Sequence, residues 1–113
     1  MAYTKSEQFS ETEIRLAKYG KALSHPARVA ILKYLFENDG CMCGQIVEVL
    51  PLAQSTVSQH LAELKSSGLI KGDIDGAKVC YCINKQNWNE ARAMIETLFN
   101  HNREMVAVFK IKT

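Results

Sequence analysis

The 113 residues contain no apolar run long enough to cross a bilayer, no internal repeat and no low-complexity tract. A membrane-spanning helix is thereby excluded. The opening residues Met1-Ala-Tyr-Thr-Lys-Ser-Glu-Gln8 lack the apolar segment of a secretory signal, so the expected location is the cytoplasm. Charge of one sign is also scarce: 14 Lys and Arg face 12 Asp and Glu, a net charge of only +2. A polyanion-binding chain usually carries a stronger basic footprint, and two copies acting together soften that objection. There is no glycine-rich cofactor loop and no acid–His–Cys constellation, so the chain is not read as an enzyme. What remains is a chain that is 47% apolar, enough for one small core that dimerisation would help to stabilise.

Residues 1–9 are polar and expected to be flexible, and residues 10–113 are expected to form one domain. Ser10 with Glu13 is a capping box that opens a helix reaching about Ala22 or Leu23, with Ile14, Leu16, Ala17 and Leu23 as apolar residues. Pro26 suits the first position of a second helix capped by Ser24 or His25, with Val29, Leu32, Leu35 and Phe36 as its apolar face and Asn38-Asp39-Gly40 as its end. Cys41-Met42-Cys43 is one short strand, and Gly44 to Leu50 is a short helix that Pro51 stops. A helix then spans roughly Gln54 to Ser67 and ends at Gly68. Leu69–Ile74 and Ala77–Ile83 are strands joined by an Asp75-Gly76 hairpin turn, and a long helix runs from Gln86 to about Ile111. This order predicts a winged helix-turn-helix: mainly α, with a small antiparallel β-hairpin wing and an extra helix at each end. The first and last helices carry more apolar surface than one small domain covers, which points to a homodimer packed through them.

The helix at 54–67 carries the main functional expectation. Val57, Leu61 and Leu64 form an apolar stripe, and Gln54, Ser55, Thr56, Ser58 and Gln59 sit at the helix start off that stripe. Small polar side chains there suit the major groove of double-stranded DNA: glutamine pairs with adenine, and hydroxyls reach bases or phosphates. Gln54 or Ser55 can equally cap the helix. His60 is read as a structural or phosphate-contacting residue, since no second metal ligand lies one turn away. Lys78, just past the turn, is expected to meet the DNA backbone from the wing. Arg28 either does the same or is a solvated helix arginine. A helical interaction module that does not bind DNA leaves both the polar helix start and the Asp-Gly wing unexplained.

Ala22-Leu-Ser-His-Pro-Ala-Arg-Val-Ala-Ile-Leu32, Gln54-Ser-Thr-Val-Ser-Gln-His-Leu61 and Ser67-Gly-Leu-Ile70 resemble the ArsR/SmtB family of bacterial transcriptional repressors, over roughly residues 12–110. The resemblance implies a homodimer on an inverted-repeat operator, released when an inducer binds. Many members sense a metal ion or arsenite, and others sense oxidants or reactive sulfur.

The four cysteines form two Cys-x-Cys pairs, Cys41 with Cys43 and Cys80 with Cys82. Alternate residues of a strand share a face, and the short strand is expected beside the return strand of the wing. All four thiols then gather on one side, with Met42, Val79, Tyr81 and Ile83 turned to the core. Four thiolates suit zinc or cadmium, and three suit arsenite. Oxidation, structural zinc and inert, partly buried cysteines are the other readings. Cys41-Met-Cys43 matches the Cys-x-Cys of arsenite- and cadmium-responsive members. The third cysteine of the usual arsenite site falls on Ile46 here, and residues 1–40 supply none for the cadmium-type site. Cys80 and Cys82 are the expected replacements. Of the family's other sensing site, on the last helix, Glu90 alone is not enough for the upstream half, and His101 and Glu104 are read as a solvated face. The expectation is a repressor released by arsenite or a thiophilic metal, the alternative being a thiol-based redox or reactive-sulfur sensor.

Overall fold

A computed structural model describes residues 8–44, 48, 50–75 and 78–101. Along the chain run α1 (Glu11–Ala22), α2 (Pro26–Glu37), β1 (Cys41–Cys43), α3 (Gln54–Ser67), β2 (Ile70–Asp75), β3 (Lys78–Ile83) and α4 (Lys85–Asn100). The strands form one antiparallel sheet in the order β1-β3-β2. The fold is the winged helix-turn-helix read from the sequence. The helix expected within 44–50, the hairpin turn at 76–77 and the last helix beyond residue 101 fall outside the described residues.

Local chemistry sets the boundaries. Ser10 Oγ accepts from the Glu13 amide at 3.1 Å and Glu13 Oε1 accepts from the Ser10 amide at 3.0 Å, so both halves of the capping box form. His25, rather than Ser24, caps α2: its Nδ1 accepts from the Ala27 amide at 3.0 Å, with Pro26 at the first helical position. Gly68 ends α3 in the left-handed region at φ +90°. Here glycine is required twice over, because a Cβ would also stand 2.8 Å from Asn87 Nδ2. That amide donates to the Gly68 carbonyl at 2.9 Å, so the start of α4 holds the end of α3.

Ile31, Leu35, Val57, Leu64, Leu69 and Ile70 are fully buried at the centre, ringed by Tyr19, Ala22, Leu32, Leu61, Ile83 and Ala91. The α3 stripe is as expected, but α2 is turned from its sequence reading. In α2 the buried row is Ala27, Ile31 and Leu35 with Leu32, and Val29 and Phe36 are exposed. Apolar residues spread around most of α2, so periodicity alone does not select its inward face. Phe36 instead packs edge-on against Trp88 of α4, ring centroids 4.8 Å apart. In α1, Tyr19 and Ala22 are buried, Ile14, Leu16 and Leu23 are half-buried and Ala17 is exposed.

Candidate nucleic-acid interface and cysteine cluster

α3 opens with Ala53 in the N-cap position and no side chain closing its first turn. Gln54 and Ser55 therefore do not cap. Gln54, Ser55, Ser58 and Gln59 are exposed and Thr56 is half-buried. Free backbone N–H groups and the positive end of the helix dipole lie beside these side chains, an arrangement that attracts phosphate. Lys78 begins β3 opposite Asp75, at the tip end of the wing, and its side chain lies outside the described residues.

His60 is brought elsewhere. It is only 8% exposed, on the inner side of α3. Arg28 Nε donates to its Nδ1 at 3.2 Å, and the His25 ring lies 4.3 Å away, centroid to centroid. Burial, then the neighbouring His25 and Arg28, hold its pKa below the ordinary imidazole value. Arg28 also donates from Nη1 to the Lys21 carbonyl at 2.9 Å, so it is a bridge between helices and not a freely solvated side chain.

The cysteines meet as the strand reading requires. β1 runs antiparallel to β3 with Cys41 opposite Cys82, Met42 opposite Tyr81 and Cys43 opposite Cys80. Both facing pairs are disulfides, each with its Cα atoms 4.0 Å apart. Met42 and Tyr81 alternate with them and pack against the core. Cys41 and Cys43 are exposed, whereas Cys80 and Cys82 on the central strand are half-buried. Lys71 of β2 stands opposite Cys82 across the other side of β3. One expectation on this sheet fails: Val79 is 43% exposed. It pairs with Ile74 in the part of the hairpin that extends past β1, where the pleat alone does not guarantee cover. The ladder continues past β1 at each end, through Ile83 N–H to the Gly40 carbonyl at 2.7 Å and Gly44 N–H to the Val79 carbonyl at 3.2 Å.

On α4, Glu90 is engaged by α1: Arg15 Nη1 donates to Oε2 at 3.0 Å and the Tyr19 hydroxyl to Oε1 at 2.8 Å. Burial first, and then Glu90, push the Tyr19 phenol up. His101 is exposed, and Glu104 lies outside the described residues. Among the described residues no group of three His, Cys, Asp or Glu is arranged to hold a metal ion. The Arg28–His60 bond, the Asn87 clamp and the Tyr19–Glu90 contact are absent from the sequence reading. Their partners stand 32, 19 and 71 residues apart, beyond any local pattern.

An exposed, polar, uncapped helix beside a β-hairpin wing is the arrangement of a DNA-binding regulator of the winged helix-turn-helix class. The profile of the bacterial regulatory proteins of the arsR family matches residues 25–71. The transcriptional regulator YgaV of Escherichia coli K12 is 34% identical over 97 residues, covering 86% of this chain and 95% of that protein. The chain belongs to the ArsR/SmtB family of bacterial transcriptional repressors. The crystal structure of the transcriptional repressor PagR of Bacillus anthracis superposes with a TM-score of 0.57 at 30% identity, covering 78% of this chain and 93% of that one. A cadmium resistance regulatory protein, a CadC homologue of Staphylococcus aureus, is 29% identical over 105 residues, covering 92% of this chain and 84% of that protein. Family membership sets aside the reading as an interaction module without DNA.

Proposed function

We propose that this repressor grips an inverted-repeat operator as a homodimer and lets go when the state of its four cysteines changes. Gln54, Ser55, Thr56, Ser58 and Gln59 read bases and phosphates, and Lys78 meets the backbone from the wing. The observation that carries the switch is the β1–β3 register, which sets Cys41 against Cys82 and Cys43 against Cys80 on the face away from the core. Sulfurs facing each other in pairs support thiol–disulfide chemistry best. In each pair two thiols give two protons and two electrons to an oxidant such as hydrogen peroxide, which leaves as two water molecules, and one S–S bond forms. A repressor works where the chromosome is, in the cytoplasm, and reducing couples there keep ordinary thiols reduced. A pair that oxidises in that setting is a signal rather than a permanent staple.

The mechanical link is short. β1 leads through Gly44 toward the segment before α3, and β3 is half of the wing. Bonding the two strands together fixes the wing relative to the reading helix. Release needs only that the oxidised form favour a DNA-incompetent arrangement by about 1–3 kcal/mol.

A second reading has its own support. Once reduced, the same four sulfurs are a soft donor set of the kind that takes arsenite, cadmium or zinc, and the CadC homologue is named for cadmium resistance. Cys41, Cys43, Cys80 and Cys82 would hold the ion, which would tie β1 to the wing as the disulfides do. The homodimer is supported by apolar side chains left open at the two ends of the chain: Phe9 before α1 and Leu98 and Phe99 on α4 are 51%, 53% and 69% exposed.

The test is fluorescence anisotropy on the chain's own upstream inverted repeat. Reduced protein binds; peroxide, or arsenite, cadmium or zinc added to reduced protein, releases it. The double variants C41S/C82S and C43S/C80S separate the pairs. Equal affinity in every state refutes the switch, and release by metal without response to peroxide selects the second reading.

A further inference from the structure

The reading helix is held in place by a contact with no part in the cysteine chemistry. The Arg28 guanidinium touches three helices: it sits in the first turn of α2, donates to the Lys21 carbonyl in the last turn of α1, and donates through Nε to His60 of α3. His60 follows Gln59 but lies on the buried side. Any roll of α3 that redirects Gln54, Ser55 and Gln59 must carry His60 away from Arg28. We propose that Arg28 and His60 are the positioning pair that sets the reading helix for operator binding, and that the pair functions only while His60 is neutral. This rests on operator binding by the family and is independent of the switch at the cysteines.

His60 accepts at Nδ1, so the neutral ring carries its proton on Nε2. A second proton goes onto Nδ1, turns the acceptor into a donor and sets it against a guanidinium. Attraction becomes repulsion at the junction of α2 and α3. The His25 ring lies against His60 and its Nδ1 caps α2, so the junction has no room to turn away. The charged or titratable groups acting on the ring are Arg28 and His25, both from the start of α2. α1 contributes the Lys21 carbonyl on which Arg28 rests. Among the described residues no charged group of α3, the sheet or α4 acts on it.

The sign of the pH response separates this role from direct phosphate contact. A histidine touching phosphate strengthens binding when protonated. A positioning histidine that must be neutral weakens it. His60 in the folded chain lies below the ordinary 6.5. The competent form is therefore complete above that pH and is lost as pH falls below it. If only the neutral form binds, the fall between pH 7.5 and 5.5 has a ceiling of about tenfold per bound chain.

The experiment is anisotropy on the operator with the full chain, cysteines kept reduced, at the two pH values, for wild type, H60N, H60A and R28K. Asparagine keeps an acceptor near the Nδ1 position and does not titrate. Wild type should lose more affinity on acidification than H60N, by at most about tenfold per bound chain, H60A should bind more weakly than H60N at pH 7.5, and R28K should behave like H60A. A wild-type response equal to that of H60N, or a gain in affinity on acidification relative to it, overturns the proposal. Should H60N fail to fold by circular dichroism, NMR titration of the wild-type His60 ring decides. A pKa lower in the operator complex than in the free chain supports the proposal, and one that is unchanged or higher overturns it.

Discussion

Reducing the two disulfides should cost stability in a non-additive way. Cys41–Cys82 closes a loop with a sequence separation of 41, and Cys43–Cys80 one of 37. In the chain-entropy treatment either bond alone removes about 13 cal/mol/K from the unfolded chain, or about 4 kcal/mol at 25 °C. The loops are nested, however. With Cys41–Cys82 in place, the second bond closes only the small ring through Cys43 and Cys80, worth about 2 kcal/mol. Deleting either pair, as C41S/C82S or C43S/C80S, should therefore cost about 2 kcal/mol, and removing both about 6 kcal/mol, more than the sum of the two. Guanidinium denaturation at fixed protein concentration, with and without a phosphine reductant, measures this through the single tryptophan, Trp88, which packs against the core. Coincident curves for oxidised and reduced protein, or strictly additive losses, refute the reasoning.

Other substitutions probe the scaffold and the interface separately. Leu64→Ala empties a fully buried site under α3 and should lower unfolding free energy by about 2–5 kcal/mol in urea titration. Gly68→Ala places a Cβ against Asn87 and forces φ +90° on an L residue, costing about 1–2 kcal/mol or more; adding Asn87→Ala relieves only the clash, which a double-mutant cycle resolves. Gln59→Ala should weaken operator binding by about 1–3 kcal/mol with an unchanged melting temperature, because the side chain is exposed in the free chain. Tyr19→Phe removes the bond to Glu90 for about 1 kcal/mol. Because the Tyr19 pKa is raised, the stability it contributes is complete below the unfolded value of 10.0 and lost as pH rises through the folded one, which alkaline denaturation follows.

Much of this was legible along the chain because the signals are local. Ser10 and Glu13, Pro26, Gly68 and the alternation within Cys41–Cys43 and Cys80–Cys82 act over a few residues, and each produced its feature. The α3 stripe was legible because its other positions are polar. α2 was misread because its apolar residues leave several faces open, and only the positions of α3 and the sheet choose among them. Val79 was misread because alternation describes the pleat and not the extent of the layer that covers it.

By itself, then, the sequence determined the order of the described elements, the polar start of the reading helix and the placing of cysteines on strands, since each depends on neighbours a few residues away. Tertiary structure alone decided which cysteine faces which, through the β1–β3 register, and that His60 turns inward to Arg28 while Gln54, Ser55 and Gln59 stay open. Those outcomes depend on where a helix sits after its whole apolar face is buried, a quantity summed over the core and carried by no single segment.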